Sequence, residues 1–276
     1  MSERTNIAWC DSTVNFWWGC QKVSPGCDHC YAEGIATSAK FTGKAGPMAW
    51  GPGTPRRRVA GAPALAKRLN RRAIREGKRL RVFTNSMSDF FDNAVDPAWR
   101  DEAWSVIREC SALDWLILSK RPQNFSRFLP LDWGEGWVHV WLGVSAENQV
   151  EADRRIPVLL DIPAAIRWVS AEPLLERVSF RWAAWQPVSR EHSTNHLDGL
   201  RRLDWIVIGG ESGSDRRDCG VQSLVGIADE CKEAGVPFFM KQDCGYKSEQ
   251  QGRIPDEWWI RQHPRSPAGA VGGRNP

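Results

Sequence analysis

Six short runs of β-branched, aliphatic and aromatic residues, each breaking off into small and polar ones, constrain this chain's fold more than any other feature. Leu80-Arg81-Val82-Phe83-Thr84 runs into Asn85-Ser86-Met87-Ser88-Asp89, and Asp114-Trp115-Leu116-Ile117-Leu118 into Ser119-Lys120-Arg121-Pro122. Val138-His139-Val140-Trp141-Leu142-Gly143-Val144 leads to Ser145-Ala146-Glu147-Asn148, and Ile166-Arg167-Trp168-Val169 to Ser170-Ala171-Glu172-Pro173. Leu203-Asp204-Trp205-Ile206-Val207-Ile208 ends in Gly209-Gly210-Glu211-Ser212-Gly213, and Val236-Pro237-Phe238-Phe239-Met240 in Lys241-Gln242-Asp243. Runs this apolar suit strands buried on both faces, as in a parallel sheet.

Between the runs lie helical patterns. Residues 96–110 place Pro97 near a first turn and carry Trp99, Ala103, Trp104 and Ile107 at helical spacing. Residues 148–160 and 221–234 behave likewise, the latter stopping at Gly235. Strands alternating with helices predict βα units and an α/β fold. With a first strand before Cys20, the expectation is a partial or open (βα) barrel of about six to seven parallel strands. It would span 1–260 as one domain, with a polar insertion at 185–202 and a disordered tail at 261–276 rich in Gly, Pro and Arg.

In such folds function gathers at the carboxyl ends of the strands. That places Ser86, Asp89, Lys120, Ser145, Glu147, Ser170, Glu172, Glu211 and Lys241 around one expected polar pocket. Any one of these could equally be a turn or capping residue. The sixteen tryptophans are read mainly as packing, with base stacking by a few as the rival reading. The N-terminus lacks a secretory pattern, and no apolar run spans a bilayer, so a cytoplasmic protein with no membrane partner is expected. In that compartment a tight cysteine cluster indicates metal more often than disulfide.

The cluster is Cys20, Cys27 and Cys30, within Gly19-Cys20-Gln21-Lys22-Val23-Ser24-Pro25-Gly26-Cys27-Asp28-His29-Cys30. Gly19 and Pro25-Gly26 permit the sharp turns that would bring three sulfurs to one centre. A structural zinc site would need a fourth ligand, with His29 or Cys10 the candidates. A disulfide plus a free thiol does not suit the compartment. A cubane iron–sulfur cluster usually has four thiolates, so three leave one iron open. That arrangement requires a catalytic pocket, which the strand ends supply.

The spacing Cys-x6-Cys-x2-Cys after a first strand resembles the three-cysteine motif of the radical S-adenosylmethionine superfamily, whose usual form has three residues in the first gap. More specifically, the chain resembles a phage- and prophage-associated family of radical-SAM-like proteins of unassigned reaction. The matching segments are Gly19-Cys20, Val23 to Cys27, Cys30-Tyr31-Ala32-Glu33, Asn85 to Asp89, Lys120-Arg121-Pro122, Trp141 to Ser145, Ser170 to Leu174, Gly209 to Gly213 and Lys241-Gln242. Spore photoproduct lyase, a DNA-repair enzyme, is similar only distantly. The resemblance implies a [4Fe-4S] cluster on Cys20, Cys27 and Cys30, with S-adenosyl-L-methionine on its open iron and an electron donor protein as partner. Reduction would cleave the cofactor to a 5′-deoxyadenosyl radical. His29 matches the residue that lies against adenine. Ser86 and Asp89 stand where relatives bind the methionyl amine. Ser145, Glu147, Ser170 and Glu172 would hold ribose or carboxylate. Gly209 and Gly210 would allow close approach, with Glu211 facing the pocket. Lys120 and Lys241 would contact an anionic substrate or the cofactor carboxylate, and Cys244 would be a hydrogen-donating thiol.

A basic arm at 56–81 carries Arg56, Arg57, Arg58, Lys67, Arg68, Arg71, Arg72, Arg75, Lys78, Arg79 and Arg81 against the single acid Glu76. Its span 63–76 reads as a helix with Leu65, Leu69 and Ala73 inward. One-signed density like this is a candidate nucleic-acid surface. Two other readings stay open: a non-catalytic nucleic-acid-binding protein with a structural zinc site, and a hydrolytic barrel using Glu172 or Glu211 with a metal.

Overall fold

A computed structural model of the chain describes residues 2–38, 48, 50–181, 197 and 199–269. Most of the polar insertion expected at 185–202, and the end of the expected tail, lie outside those residues. Seven strands form one sheet in the order β1(Ser12–Val14), β4(Leu80–Thr84), β5(Leu113–Ser119), β6(Val140–Ser145), β7(Ile166–Leu174), β8(Trp205–Gly210) and β9(Phe238–Gln242). The β1–β4, β4–β5, β7–β8 and β8–β9 pairs are parallel. With helices between the strands this is an α/β fold, and the six runs read from the sequence are six of its seven strands. Two short strands, β2(Trp17–Trp18) and β3(Arg57–Arg58), pair antiparallel apart from it.

By contact density the chain divides into two compact units. The first comprises described residues within Met1–Val23, Cys30–Trp141 and Ser266–Pro276. The second comprises those within Ser24–His29 and Leu142–Arg265.

In the first unit, β5 is buried along nearly all of its length, as its unbroken apolar run requires. Its one acid, Asp114, is held by Arg79 at 2.6 Å. The helix α1(Tyr31–Thr37) follows Cys30 directly. The next helix, α2(Ala62–Glu76), buries Leu65, Ala66, Leu69 and Ala73 at helical spacing and stops at Gly77 with φ 63°, a left-handed conformation that glycine adopts without a Cβ penalty. In α3(Pro97–Glu109) the first turn is capped by Asp96, whose carboxylate accepts from the Ala98 N–H at 2.9 Å. A short α4(Phe125–Phe128) follows. Trp17, Phe90, Phe91, Trp104 and Phe125 form a continuous aromatic core, with neighbouring centroids 4.5–5.5 Å apart.

In the second unit, Asn148 caps α5(Gln149–Leu160) by accepting from the Glu151 N–H at 2.8 Å. The helix α6(Val221–Ala234) ends at Gly235 with φ 72°, as its sequence predicts. Trp168 and Trp205 pack with centroids 5.4 Å apart. The start of the expected tail is ordered: the Gln262 N–H donates to Phe238 O at 3.0 Å, and Trp205 Nε1 donates to Gln262 O at 2.8 Å. Trp17, Trp115, Trp141, Trp168 and Trp205 are fully buried, so these five are packing residues. No described helix is long and apolar enough to cross a membrane.

A Cβ on Gly143 of β6 would lie 2.4 Å from the Trp168 ring, so the indole fills the space a side chain would need. Gly143→Ala is expected to destabilise the protein by roughly 1–3 kcal/mol. The readout is a lower urea midpoint at unchanged slope.

Candidate functional site

The residues singled out from the sequence sort into one group in the first unit and two in the second. In the first unit the organising group is Asp89, just beyond β4. Its carboxylate accepts from the Phe91 N–H at 2.9 Å, Ser119 Oγ at 2.8 Å and the Lys120 N–H at 2.9 Å. Lys120 therefore meets Asp89 through its backbone. Ser86 hydrogen-bonds Asn15 Nδ2 at 3.2 Å, and its carbonyl accepts from Tyr31 Oη at 2.8 Å. Asn85, in the left-handed region at φ 59°, accepts from the Phe16 N–H at 2.8 Å. Asn85 and Ser86 thus hold the chain that leads to Cys20, and Asp89 holds the end of β5 and Lys120 after it.

Arg121 lies against Cys20. Its Nη2 is 3.8 Å from Cys20 Sγ and donates to Gln21 O at 3.0 Å, while its Nε is 3.9 Å from Asp89. Burial pushes the Cys20 thiol up to about 12, with Asp89 adding to the rise and Arg121 opposing it. Cys30 precedes α1 and packs beside Ala32, Ala36, Met48 and Met87.

In the second unit, residues 24–29 are held at both ends by strand-end carboxylates. Glu147, beyond β6, accepts from the Gly26 N–H at 3.2 Å. A Cβ on Gly26 would come within 2.9 Å of that carboxylate carbon, so glycine is required for this seat. Behind it, Arg155 of α5 donates to Glu147 at 2.8 Å and Ser145 O at 2.9 Å, and pairs with Glu151 at 2.9 Å. Both Glu147 and Arg155 are fully buried. At the other end, His29 Nδ1 is 3.0 Å from Glu211 Oε2. Arg217 reaches Glu211 at 2.7 Å, Asp28 at 3.2 Å and Pro25 O at 3.0 Å. Burial raises the Glu211 pKa, but the Arg217 and His29 hydrogen bonds outweigh it and hold the carboxyl below its ordinary range. Glu147 and Glu211, through Gly26 and His29, hold the segment that bears Cys27.

The second group is polar and lies at the ends of β7, β8 and β9. Lys241 pairs with Glu172 at 2.9 Å, and Ser170 Oγ donates to Glu172 at 3.3 Å. A Cβ on Gly209 would be 2.4 Å from Glu172 Oε1, so the bare backbone admits the carboxylate. Four expected residues, Ser170, Glu172, Gly209 and Lys241, meet here. Gly210 plays the same part toward Cys244, whose Sγ would be 2.4 Å from its Cβ. Cys244 Sγ is 3.5 Å from that of Cys219.

Sequence reasoning missed Arg121, Arg155, Arg217 and Cys219. Arg121 is marked only by its place beside Lys120 in Lys120-Arg121-Pro122. Arg155 and Arg217 follow Glu147 and Glu211 by eight and six residues. Nothing local marks Cys219.

Most cations of the basic arm have a carboxylate partner. Arg56 is buried and pairs with Asp92 at 2.7 Å. Arg58, Lys67, Arg68, Arg79 and Arg81 pair with Glu102, Glu109, Glu3, Asp114 and Asp11, and Arg72 and Lys78 with Glu76. Apart from Glu76 the acids come from distant sequence, so a stretch that is nearly one-signed along the chain is largely charge-matched in the fold.

Among the described residues no three His, Cys, Asp or Glu side chains are gathered to hold a metal ion. The donor chemistry nevertheless suits a thiolate-held centre: three thiols lie on one short stretch, and the first has a guanidinium beside its sulfur.

Fold and strand-end chemistry define an α/β protein built on a parallel sheet with polar groups at and just beyond the strand ends. A family model described as "Protein of unknown function (DUF5131)" matches residues 4–269, and the chain belongs to that family. No curated protein matches it, and no solved structure does.

Two substitutions test the seat of the 24–29 segment. Arg155→Ala leaves Glu147 buried without its cation and is expected to cost about 3–5 kcal/mol of stability, read by denaturant unfolding. Gly26→Ala is expected to speed amide exchange over 24–29 while global stability changes little. Unchanged exchange there would mean that Glu147 does not govern the segment.

Proposed function

We propose that this chain is a radical S-adenosyl-L-methionine enzyme, its sheet part of an open (βα) barrel, with Cys20, Cys27 and Cys30 holding a [4Fe-4S] cluster. The observation that carries the reading is the investment in one cysteine stretch. Arg121 and Asp89 fix the surroundings of Cys20, Glu147 and Arg217 hold the backbone just before Cys27, and Glu211 and Arg217 hold the side chains of His29 and Asp28 just after it. A loop held only for packing would not need buried charges directed at its N–H groups and carbonyls.

When bound, the cluster would supply one electron for reductive cleavage of S-adenosyl-L-methionine. The chain's own residues do the rest. Arg121 places positive charge beside the Cys20 sulfur and opposes the rise that burial and Asp89 impose on its pKa. Glu147 and Arg155 keep the turn at Gly26 from shifting, and Glu211 orients His29 through Nδ1. Lys241, held by Glu172, presents a cation at the strand ends that suits a carboxylate or phosphate. The charge matching along 56–81 gives less support to a nucleic-acid substrate than to the cofactor chemistry.

The test is anaerobic reconstitution with iron and sulfide, followed by electron paramagnetic resonance of the reduced protein. A cubane signal is expected that shifts on adding S-adenosyl-L-methionine and is lost in Cys27→Ala. Uptake of zinc with no iron would overturn the reading in favour of a structural zinc site. For nucleic acid, duplex binding by the full chain should show a shallow salt dependence, since few cations of the arm lack a carboxylate neighbour. A steep slope lost on replacing Arg71 and Arg75 would instead establish the arm as a phosphate surface.

A further inference from the structure

A pair of thiols meets in the second unit, away from the cysteine stretch in sequence. Cys219 stands just ahead of α6, and Cys244 two residues beyond β9. Their sulfurs are 3.5 Å apart, and both residues are half-buried. The fold brings them together by specific means. Gly210 has no side chain where Cys244 Sγ approaches β8. The Cys219 carbonyl accepts from Ser223 Oγ at 2.7 Å, and the Cys244 N–H donates to Asp243 at 2.7 Å. Arg253 bridges the two flanks, donating at 2.8 Å to both Asp243 and Asp218.

A disulfide bond is about 2.05 Å long, so bonding these sulfurs requires an approach of roughly 1.5 Å, within reach of side-chain rotation. Their environments also divide the labour. The hydrogen bond from Cys219 brings the Cys244 thiol down to about 7, and the same bond together with burial pushes Cys219 up. The buried cysteines differ: burial pushes Cys110 up to about 11 and raises Cys231 as well. Cys244 is the thiol poised to attack, since the thiolate is the nucleophile, and Cys219 is the one placed to resolve.

We propose that Cys219 and Cys244 form a reversible dithiol–disulfide couple that takes small-molecule disulfides, such as glutathione disulfide, as its oxidant, and whose oxidation locks the 211–220 loop. In the first step the Cys244 thiolate attacks one sulfur of glutathione disulfide, and a glutathione thiolate leaves. In the second, Cys219 loses its proton and attacks the Cys244 sulfur of the mixed disulfide, expelling the other glutathione. Two protein thiols are oxidised to one disulfide, the oxidant is reduced to two glutathione thiols, and the two protein protons end on them.

The lock has a structural address. Residues 211–220 join β8 to α6 and carry Glu211 and Arg217, which hold His29, Asp28 and Pro25. Tying Cys219 to Cys244 anchors the far end of that loop to β9 and removes its freedom to release the 24–29 segment. This inference needs neither iron nor S-adenosyl-L-methionine and stands apart from the radical reading.

The full chain is reduced, desalted, equilibrated in glutathione buffers stepped from reducing to oxidising, quenched with N-ethylmaleimide under denaturing conditions, and mapped by peptide mass. Two alkylatable thiols are expected to disappear together, replaced by a linked Cys219–Cys244 peptide that dithiothreitol reverses. In Cys219→Ser, Cys244 should stop as its mixed disulfide with glutathione. Amide exchange over 211–220 should slow in the oxidised protein. Full alkylation of both thiols at the oxidising end, or preferential linkage of Cys244 to another cysteine, overturns the couple. Equal exchange in the two states overturns the lock.

Discussion

The buried pair of Glu147 and Arg155 is the interaction on which the second unit most depends. Taking both charges out of water costs several kcal/mol per ion, and good geometry offsets it only when the remaining donors and acceptors are matched. Here Arg155 also serves Ser145 O and Glu151, and Glu147 serves the Gly26 N–H. The pair joins α5, the end of β6 and the segment bearing Cys27 into one electrostatic unit. None of the three can move without exposing an unmatched charge to a dry interior.

Asp89 plays the corresponding part in the first unit by a different route. It is a carboxylate saturated by neutral donors, with Arg121 standing off at 3.9 Å rather than docking directly. That distance leaves the guanidinium free to lean on the Cys20 sulfur and the Gln21 carbonyl. Charge at this site is arranged in a chain, carboxylate to guanidinium to thiol, whereas Glu147 and Arg155 form a closed knot.

Much of the fold was legible because its signals are local. Apolar runs marked six strands, Asp96 and Asn148 marked helix starts, and Gly235 marked a stop. The site was legible only in its parts list. Ser170, Glu172, Gly209 and Lys241 do meet, because strand ends of a parallel sheet converge by topology. The contacts of Glu147 and Glu211 were not legible, because their partners Gly26, Arg155, His29 and Arg217 are defined by tertiary contact. The pairing of the basic arm was not legible for the same reason: Asp92, Glu102 and Asp114 meet it from elsewhere in the chain. At 261–276 composition indicated a tail, yet backbone hydrogen bonds to Phe238 order its first residues, an interaction that composition does not encode.

The anchoring of residues 24–29 has a consequence for the order of events in biosynthesis. Gly26 waits for Glu147, 121 residues later, and Asp28 for Arg217, 189 residues later. At 5–20 residues per second, the second interval lasts on the order of 10–40 s. Until Glu147 is made the cysteine stretch lacks both of these anchors, and until Arg217 is made it lacks the second. Its thiols are then open to whatever metal or oxidant the surroundings hold, and the late arrival of Arg217 closes that interval.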